Sequence, residues 1–135
     1  MGHPRLGAGV GLTVGTVLAL ALAACSGPEG GTGIVEGGPV AYVAASSDGG
    51  DDALLEGTLK VSDSCVVIVD EFGQTLLPIF QRPRTERDGT TLTYNGKPYT
   101  DGSSISLGEG YYDEPRDADY APQECDIDGV FYVAP

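Results

Sequence analysis

The sequence after residue 52 alternates short apolar runs with turn-forming residues, and this pattern constrains the fold more than any other feature. Leu55, Leu59 and Val61 share one face of a run whose intervening positions are mostly polar, which is the period of a half-buried strand. No stretch of about ten residues shows helical periodicity. Some six or seven short strands at this spacing predict an all-β domain, either a small antiparallel barrel or a sandwich.

Several segments indicate where the strands and turns fall. The β-branched run over residues 65–69 is typical of a strand covered on both faces. Pro78 has no N–H to donate, so its strand is expected at an edge or at a bulge. Asn95-Gly96 is a strong hairpin signal, because a type I′ turn needs positive φ at both central residues. An OB-like barrel is one small barrel that these strands would suit.

Two long polar segments separate the predicted strands. Residues 81–89 form the first, which contains Arg82, Arg84 and Arg87. Residues 109–128 form the second, which is acidic and precedes the last strand. Both are predicted as loops.

The first 24 residues contain no acidic residue and lead from a start with one Arg into an uncharged run over residues 6–24. A positive start, an apolar stretch and small residues before a cut site predict a secretory signal peptide. The uncharged run has close to the ~20 residues of a membrane-spanning helix. A retained membrane anchor is therefore the competing interpretation.

The residues at the end of this run carry a resemblance. Leu22-Ala23-Ala24-Cys25 resembles the lipobox of bacterial lipoproteins, in which an aliphatic and two small residues precede a cysteine. The resemblance implies that residues 1–24 are removed and that Cys25 carries the lipid, with palmitate among the expected acyl chains. It also implies a location on the extracytoplasmic face of the cell membrane. Two or more acyl chains anchor a protein stably in a lipid bilayer, whereas one binds only marginally.

The mature chain would then divide into a tether and a domain. Residues 25–52 are rich in Gly, Ser and Asp and predict a flexible tether behind the lipidated cysteine. An apolar stretch over residues 39–45 interrupts this tether; we interpret it as linker, with a strand docked on the domain as the alternative. Residues 53–135 are expected to form the β-domain, which is similar to small β-domains of bacterial lipoproteins. That similarity implies no functional residues.

Composition excludes several classes of function. Seven Lys and Arg against twenty Asp and Glu give a net charge of −13, the opposite of the basic surface that nucleic-acid binding requires. Removal of residues 1–24 also removes His3, the single histidine, so neither a Ser-His nor a Cys-His pair can form. We therefore predict a protein that is not an enzyme and needs no cofactor. A small hydrolase with paired carboxylates remains the less favoured alternative.

The three cysteines divide by role. Once Cys25 is lipidated, Cys65 and Cys125 remain, and an exported protein occupies a compartment that permits disulfides. We predict a disulfide between them, which would close a loop of about 60 residues and stabilise a small core.

The acidic segment offers two candidate sites. Glu124, Asp126 and Asp128 alternate along the chain before Gly129, as oxygen ligands of calcium do, although the remainder of an EF-hand is missing. Calcium binding through residues 113–128 is thus an alternative function, and a solvated acidic loop is the simpler interpretation.

Three tyrosines interleave with these acids: Tyr111, Tyr112 and Tyr120. Tyrosine supplies rigid amphipathic contact area, so they are candidates for binding a basic partner, or else they cap the end of the barrel. The sequence as a whole predicts a membrane-anchored binding or structural module of the cell envelope. Its partner would be an unknown envelope protein or wall polymer.

Overall fold

We describe the fold from a computed structural model of the chain, in which residues 2–4, 7, 33–44 and 52–135 are described. These residues form nine strands and one 3₁₀ turn, so the all-β prediction is confirmed. Within them we find no helical segment with the length and apolarity that crossing a bilayer requires. Cys25 and nearly all of the predicted signal peptide lie outside the described residues. The strands are β1 (Ala41–Val43), β2 (Ala53–Val61), β3 (Val66–Asp70), β4 (Thr75–Gln81), β5 (Thr85–Asp88), β6 (Thr91–Tyr94), β7 (Lys97–Thr100), β8 (Ser104–Tyr112) and β9 (Gly129–Val133).

Five strands close into a barrel. The order is β4-β3-β2-β8-β9, and β9 then pairs with β4 to complete the ring. Neighbouring strands are antiparallel except at the closing pair, where β4 and β9 are parallel. Counted along the chain, the first barrel strand, β2, pairs with the second, β3, and with the fourth, β8. The third, β4, pairs with the fifth, β9. This is the strand order of an OB-type Greek-key barrel.

Strand β4 is buried on both faces over most of its length. Leu76 and Phe80 point into the barrel core, whereas Leu77 and Ile79 belong to a second apolar cluster on the outside. We predicted such double burial for β3 instead. Only one face of β3 is fully buried, because its outer positions Val67 and Val69 remain half-exposed.

A second sheet is inserted between β4 and β8. Strands β5, β6 and β7 form an antiparallel sheet that adds the buried side chains of Leu92, Tyr94 and Tyr99 to the barrel core. Its hairpin turns at Asn95 and Gly96, whose φ angles of 49° and 78° confirm the predicted turn. The loop predicted over residues 81–89 is corrected, because it contains a 3₁₀ turn (Arg82–Arg84) and β5.

Residues 33–44 are part of the domain rather than of the tether. Strand β1 pairs in parallel with β4, and Ile34, Val40 and Tyr42 are buried in the barrel core. The linker interpretation of residues 39–45 is therefore wrong, because alternate side chains of this stretch fill the two apolar clusters. Pro78 is likewise not at an edge: it lies between Leu76, paired to β3, and Ile79, paired to β1.

The acidic segment is shorter than predicted and crosses the outside of the barrel. Strand β8 continues to Tyr112, so the connection to β9 covers residues 113–128. Its less polar side chains pack on the outer cluster of β1, β4 and β9: these are Ala118, Ala121, Cys125 and Ile127. We call residues 113–128 the strap. As the cysteine count predicts, Cys125 is joined to Cys65, with the two Cα atoms 5.7 Å apart.

We expect the Cys65→Ser, Cys125→Ser double variant to lose stability, because the disulfide ties the strap to the start of β3. For cysteines 60 residues apart, the chain-entropy relation gives a loss of roughly 4 kcal/mol in the free energy of unfolding. Urea titration of the oxidised protein, the reduced protein and the variant measures this loss. Equal midpoints for the oxidised protein and the variant would contradict the prediction.

Gly57 in the middle of β2 provides a second prediction. A Cβ at this position would overlap the Val69 carbonyl oxygen and lie 2.8 Å from Ile68 Cγ2 on β3. We expect Gly57→Ala to destabilise the domain by roughly 1–3 kcal/mol, as overpacking does in a well-packed core. The matched control is Gly108→Ala on β8, where the nearest atom to the new Cβ is the Ala53 oxygen at 3.9 Å. Urea unfolding measures both variants. An equal loss of stability in the two would show that close approach is not the cause.

Candidate functional site

The exposed apolar side chains are concentrated at one end of the barrel. Of the five large ones exposed in the described part of the chain, four lie where β2 begins, β3 turns into β4 and β8 ends. Their exposed fractions range from 43% to 81%, which is far above the few per cent of the core. We call this group the aromatic end: Leu54, Phe72, Tyr111 and Tyr112.

Tyr111 connects β8 to both neighbouring parts of this end. Its hydroxyl donates a hydrogen bond of 3.1 Å to the Leu54 carbonyl oxygen on β2. Its ring stands edge-on to the buried Phe131, with the ring centroids 4.9 Å apart. Tyr111 therefore packs against the core at this end of the barrel and still leaves about half of its surface exposed.

Phe72 is held outward by a well-ordered turn. Asp70 Oδ1 accepts hydrogen bonds of 2.9 Å from the backbone N–H groups of Phe72 and Gln74. Gly73 adopts φ 79°, which few residues other than glycine tolerate, and its N–H donates to the Asp70 carbonyl oxygen. The turn thus presents an 81% exposed aromatic ring from a fixed backbone.

Tyr112 adds a second ring pair beside the turn. It stands edge-on to Tyr132 of β9, with centroids 5.1 Å apart. Between Tyr112 and the turn lies an open depression of about 360 Å³. Two carboxylates and one guanidinium line it together with Gln74, Leu76 and the two tyrosines: Asp113, Asp128 and Arg116.

A longer groove of about 510 Å³ adjoins the aromatic end along the outside of β2. Asp70 and Glu71 line the groove and also flank Phe72 in the chain. Gly57 also lies among the lining residues. The remaining lining is polar apart from Val69, Tyr99 and Ile105, and consists of Glu56, Thr58, Lys97, Ser104 and Ser106.

The arginines of the first predicted loop lie away from the aromatic end. Arg82 donates to the Ile34 carbonyl oxygen at 3.1 Å and lies 5.0 Å from the Tyr42 ring centroid. Arg87 contacts Asp63 at 3.5 Å, in the turn that precedes β3. These residues form the arginine end, together with Arg84. Strand β3 runs from this end to the turn that carries Phe72.

The third predicted tyrosine is not part of the aromatic end. Tyr120 lies in the strap, where its hydroxyl donates to the Gly38 carbonyl oxygen at 2.7 Å. Its ring packs against Tyr42, with centroids 5.6 Å apart, and its backbone pairs with the same residue. The structure therefore places Tyr120 where it fastens the N-terminal segment to the strap.

The predicted calcium ligands are exposed, and one of them is already in use. Asp128 Oδ2 accepts a hydrogen bond of 2.8 Å from the Thr75 N–H, and the Asp128 N–H donates back to Thr75. Glu124 and Asp126 lie earlier in the strap. Over the described ranges no group of three or more His, Cys, Asp or Glu side chains is arranged to hold a metal ion. Calcium binding stays a prediction from the sequence.

Sequence reasoning missed two of the four residues of the aromatic end. In the sequence, Leu54 occupies an outward position of a predicted strand, and a single exposed leucine is common in folded proteins. Phe72 stands in a turn of otherwise polar residues, Asp70-Glu71-Phe72-Gly73, and that contrast was the available signal. Neither position shows from the sequence that it lies beside Tyr111.

Two tyrosine hydroxyls titrate above their ordinary range. Burial raises the pKa of Tyr94, against the lowering effect of Arg84 and Asn95. Burial also raises the pKa of Tyr111, and the charge of Asp70 adds to it. Asp70 belongs to the Phe72 turn, so the charge of that turn acts on the Tyr111 hydroxyl.

Comparison with known proteins adds no relative: no family model, curated protein or solved structure matches this chain.

We expect Asp70→Asn to lower the pKa of Tyr111 toward its ordinary value of 10.0, because the variant removes the neighbouring charge but keeps a side-chain oxygen for the turn. Phenolate absorbance against pH measures the shift, and Tyr111→Phe identifies the signal. Asp113→Asn is the charge-matched control and should leave the titration unchanged. An unmoved titration in Asp70→Asn would mean that the turn does not lie close to Tyr111.

Proposed function

We propose that this protein is a lipoprotein, anchored through Cys25 on the extracytoplasmic face of the membrane, whose β-domain is a non-enzymatic binding module. The observation that carries the binding role is the aromatic end, where four large apolar side chains are exposed together. Aromatic side chains on a fixed backbone dominate the binding energy of many protein interfaces, because they offer large contact area at low entropic cost.

The way this end is held in place supports a binding role over a merely exposed edge. The backbone at Phe72 is fixed by the hydrogen bonds of its turn, and the Tyr111 side chain by its contacts with Phe131 and Leu54. A surface arranged before binding loses little conformational freedom when a partner docks. We therefore regard this end, rather than the strap, as the binding surface.

The anchor is supported by the sequence Leu22-Ala23-Ala24-Cys25 and by the pairing of the other two cysteines. A disulfide persists in an exported protein, whereas reducing conditions inside the cell prevent it. The non-enzymatic role is supported by the loss of the single histidine with residues 1–24, which excludes histidine-activated nucleophiles from the mature chain.

We expect metabolic labelling with a palmitate analogue to mark the full-length protein and to fail in Cys25→Ala. The reason is that the thiol of Cys25 is the acceptor of the lipid on which further acylation depends. Labelling, together with membrane fractionation, measures the outcome. Ser26→Ala is the neighbouring control and should be labelled and recovered with membranes like the wild type. Undiminished label in Cys25→Ala would refute the anchor.

A further inference from the structure

We infer that the aromatic end and the groove along β2 form one docking surface for an extended, positively charged protein segment that carries an apolar side chain. This inference rests on the proposed binding function and names the chemistry of its partner. The apolar side chain would contact Leu54 and Phe72, and the positive charges would lie in the groove.

The two parts of this surface are continuous. Leu54, Glu56 and Thr58 alternate along β2 and therefore share its outward face. Leu54 belongs to the aromatic end, whereas Glu56 and Thr58 line the groove. On the neighbouring strand, Asp70 and Glu71 line the groove immediately before Phe72. A segment that leaves the aromatic end along β2 would enter the groove directly.

The groove has the charge and the hydrogen-bonding groups that such a segment needs. Three carboxylates face one ammonium group in it, that of Lys97, which lies 5.1 Å from the Tyr99 ring centroid. The excess of negative charge favours lysine or arginine in the partner. The hydroxyls of Thr58, Ser104 and Ser106 lie along the same groove and can bond to an extended peptide backbone.

Charge argues against the bilayer as the occupant of this surface. The N-terminal segment joins the domain at the arginine end, where a Cβ on Gly33 would overlap the Arg87 carbonyl oxygen and Ile34 accepts a bond from Arg82. The aromatic end lies at the other end of β3. Anionic lipid would repel its carboxylates.

A second copy of the chain is disfavoured by charge. The chain carries a net charge of −13, and the surface itself has an excess of carboxylates. Two such surfaces facing each other would place like charges together, which weakens association. A basic segment of a different protein fits the surface better than either alternative.

The first test uses the full-length lipoprotein in zwitterionic nanodiscs as the bait. The probes are two pools of peptides of about ten residues with a central Phe, flanked either by Lys, Thr and Ser or by Glu, Thr and Ser. We expect the wild type to retain the lysine pool at least about tenfold better than the glutamate pool. The Leu54→Ala, Phe72→Ala double variant should retain the lysine pool at least about tenfold less than the wild type, because it lacks two interface anchors. Glu56→Gln, Glu71→Gln should weaken retention at low salt and reduce its salt dependence.

The matched control is Val35→Ala, since Val35 is 52% exposed but lies near the arginine end. It should retain the lysine pool like the wild type. Thermal unfolding checks that all variants remain folded, which their exposed positions favour. Equal retention of the two pools, or wild-type retention by Leu54→Ala, Phe72→Ala, would overturn the inference.

A second test locates the occupant in intact cells. A photo-crosslinking phenylalanine analogue replaces Phe72 in one strain and Val35 in another. Protein adducts at position 72 whose crosslinked peptides are rich in Lys or Arg would support the inference. Lipid adducts, adducts to a second copy, or equal yields at both positions would overturn it. Palmitate labelling separates the anchor from the binding surface: labelled protein without Phe72-dependent binding refutes the docking surface and leaves the anchor standing, and unlabelled protein that still binds refutes only the anchor. Adducts at position 72 to protein segments poor in Lys and Arg would refute the charge of the partner while leaving the binding role standing.

Discussion

The burial of β4 on both faces is the constraint on which the rest of the domain depends. Inside, Leu76 and Phe80 contribute to the barrel core, and outside, Leu77 and Ile79 need a cover of their own. A lone five-stranded barrel would leave these outer side chains in water, at a cost of roughly 1.5–3 kcal/mol for each large one. Strand β1 and the strap supply that cover from opposite ends of the sequence.

This cover also decides which surfaces remain open for binding. The outer face of β4 and β9 lies under the strap, which the disulfide holds to the start of β3. The open surfaces include the far end of the barrel and the outer side of β2, where the groove lies. The chain thus closes one face of its barrel with its own residues and leaves a different one open.

Much of the barrel was predictable because it depends on local patterns. The alternation in β2, the apolar runs of β3 and β4 and the Asn95-Gly96 turn each report the burial or the backbone geometry of a few neighbouring residues. The disulfide followed from counting cysteines. Errors arose where a distant element decided the outcome: β1 became a strand only because β4 needed a partner beyond the end of β3.

The candidate site was less predictable for the same reason. Tyr111 and Tyr112 could be singled out, because tyrosines between acids are conspicuous in the sequence. Tyr120 looked the same there, yet its hydroxyl and ring are engaged with Gly38 and Tyr42. Leu54 and Phe72 join the group only through strand register and the turn after β3, and the sequence does not show which distant residues these bring beside them.

The strands, more than the strap, give the aromatic end its fixed geometry. Leu54 lies in β2 and pairs with β8, and Tyr111 donates a hydrogen bond to the same strand. The Phe72 turn is closed by Asp70 at the end of β3. The position of Tyr112 depends most on the strap, because Tyr112 packs on Tyr132, whose hydroxyl accepts a hydrogen bond from the Asp117 N–H. Surfaces built on paired strands hold their geometry better than surfaces on loops. Three of the four side chains therefore keep their arrangement through the barrel itself, and the disulfide acts mainly on the stability of the domain beneath them.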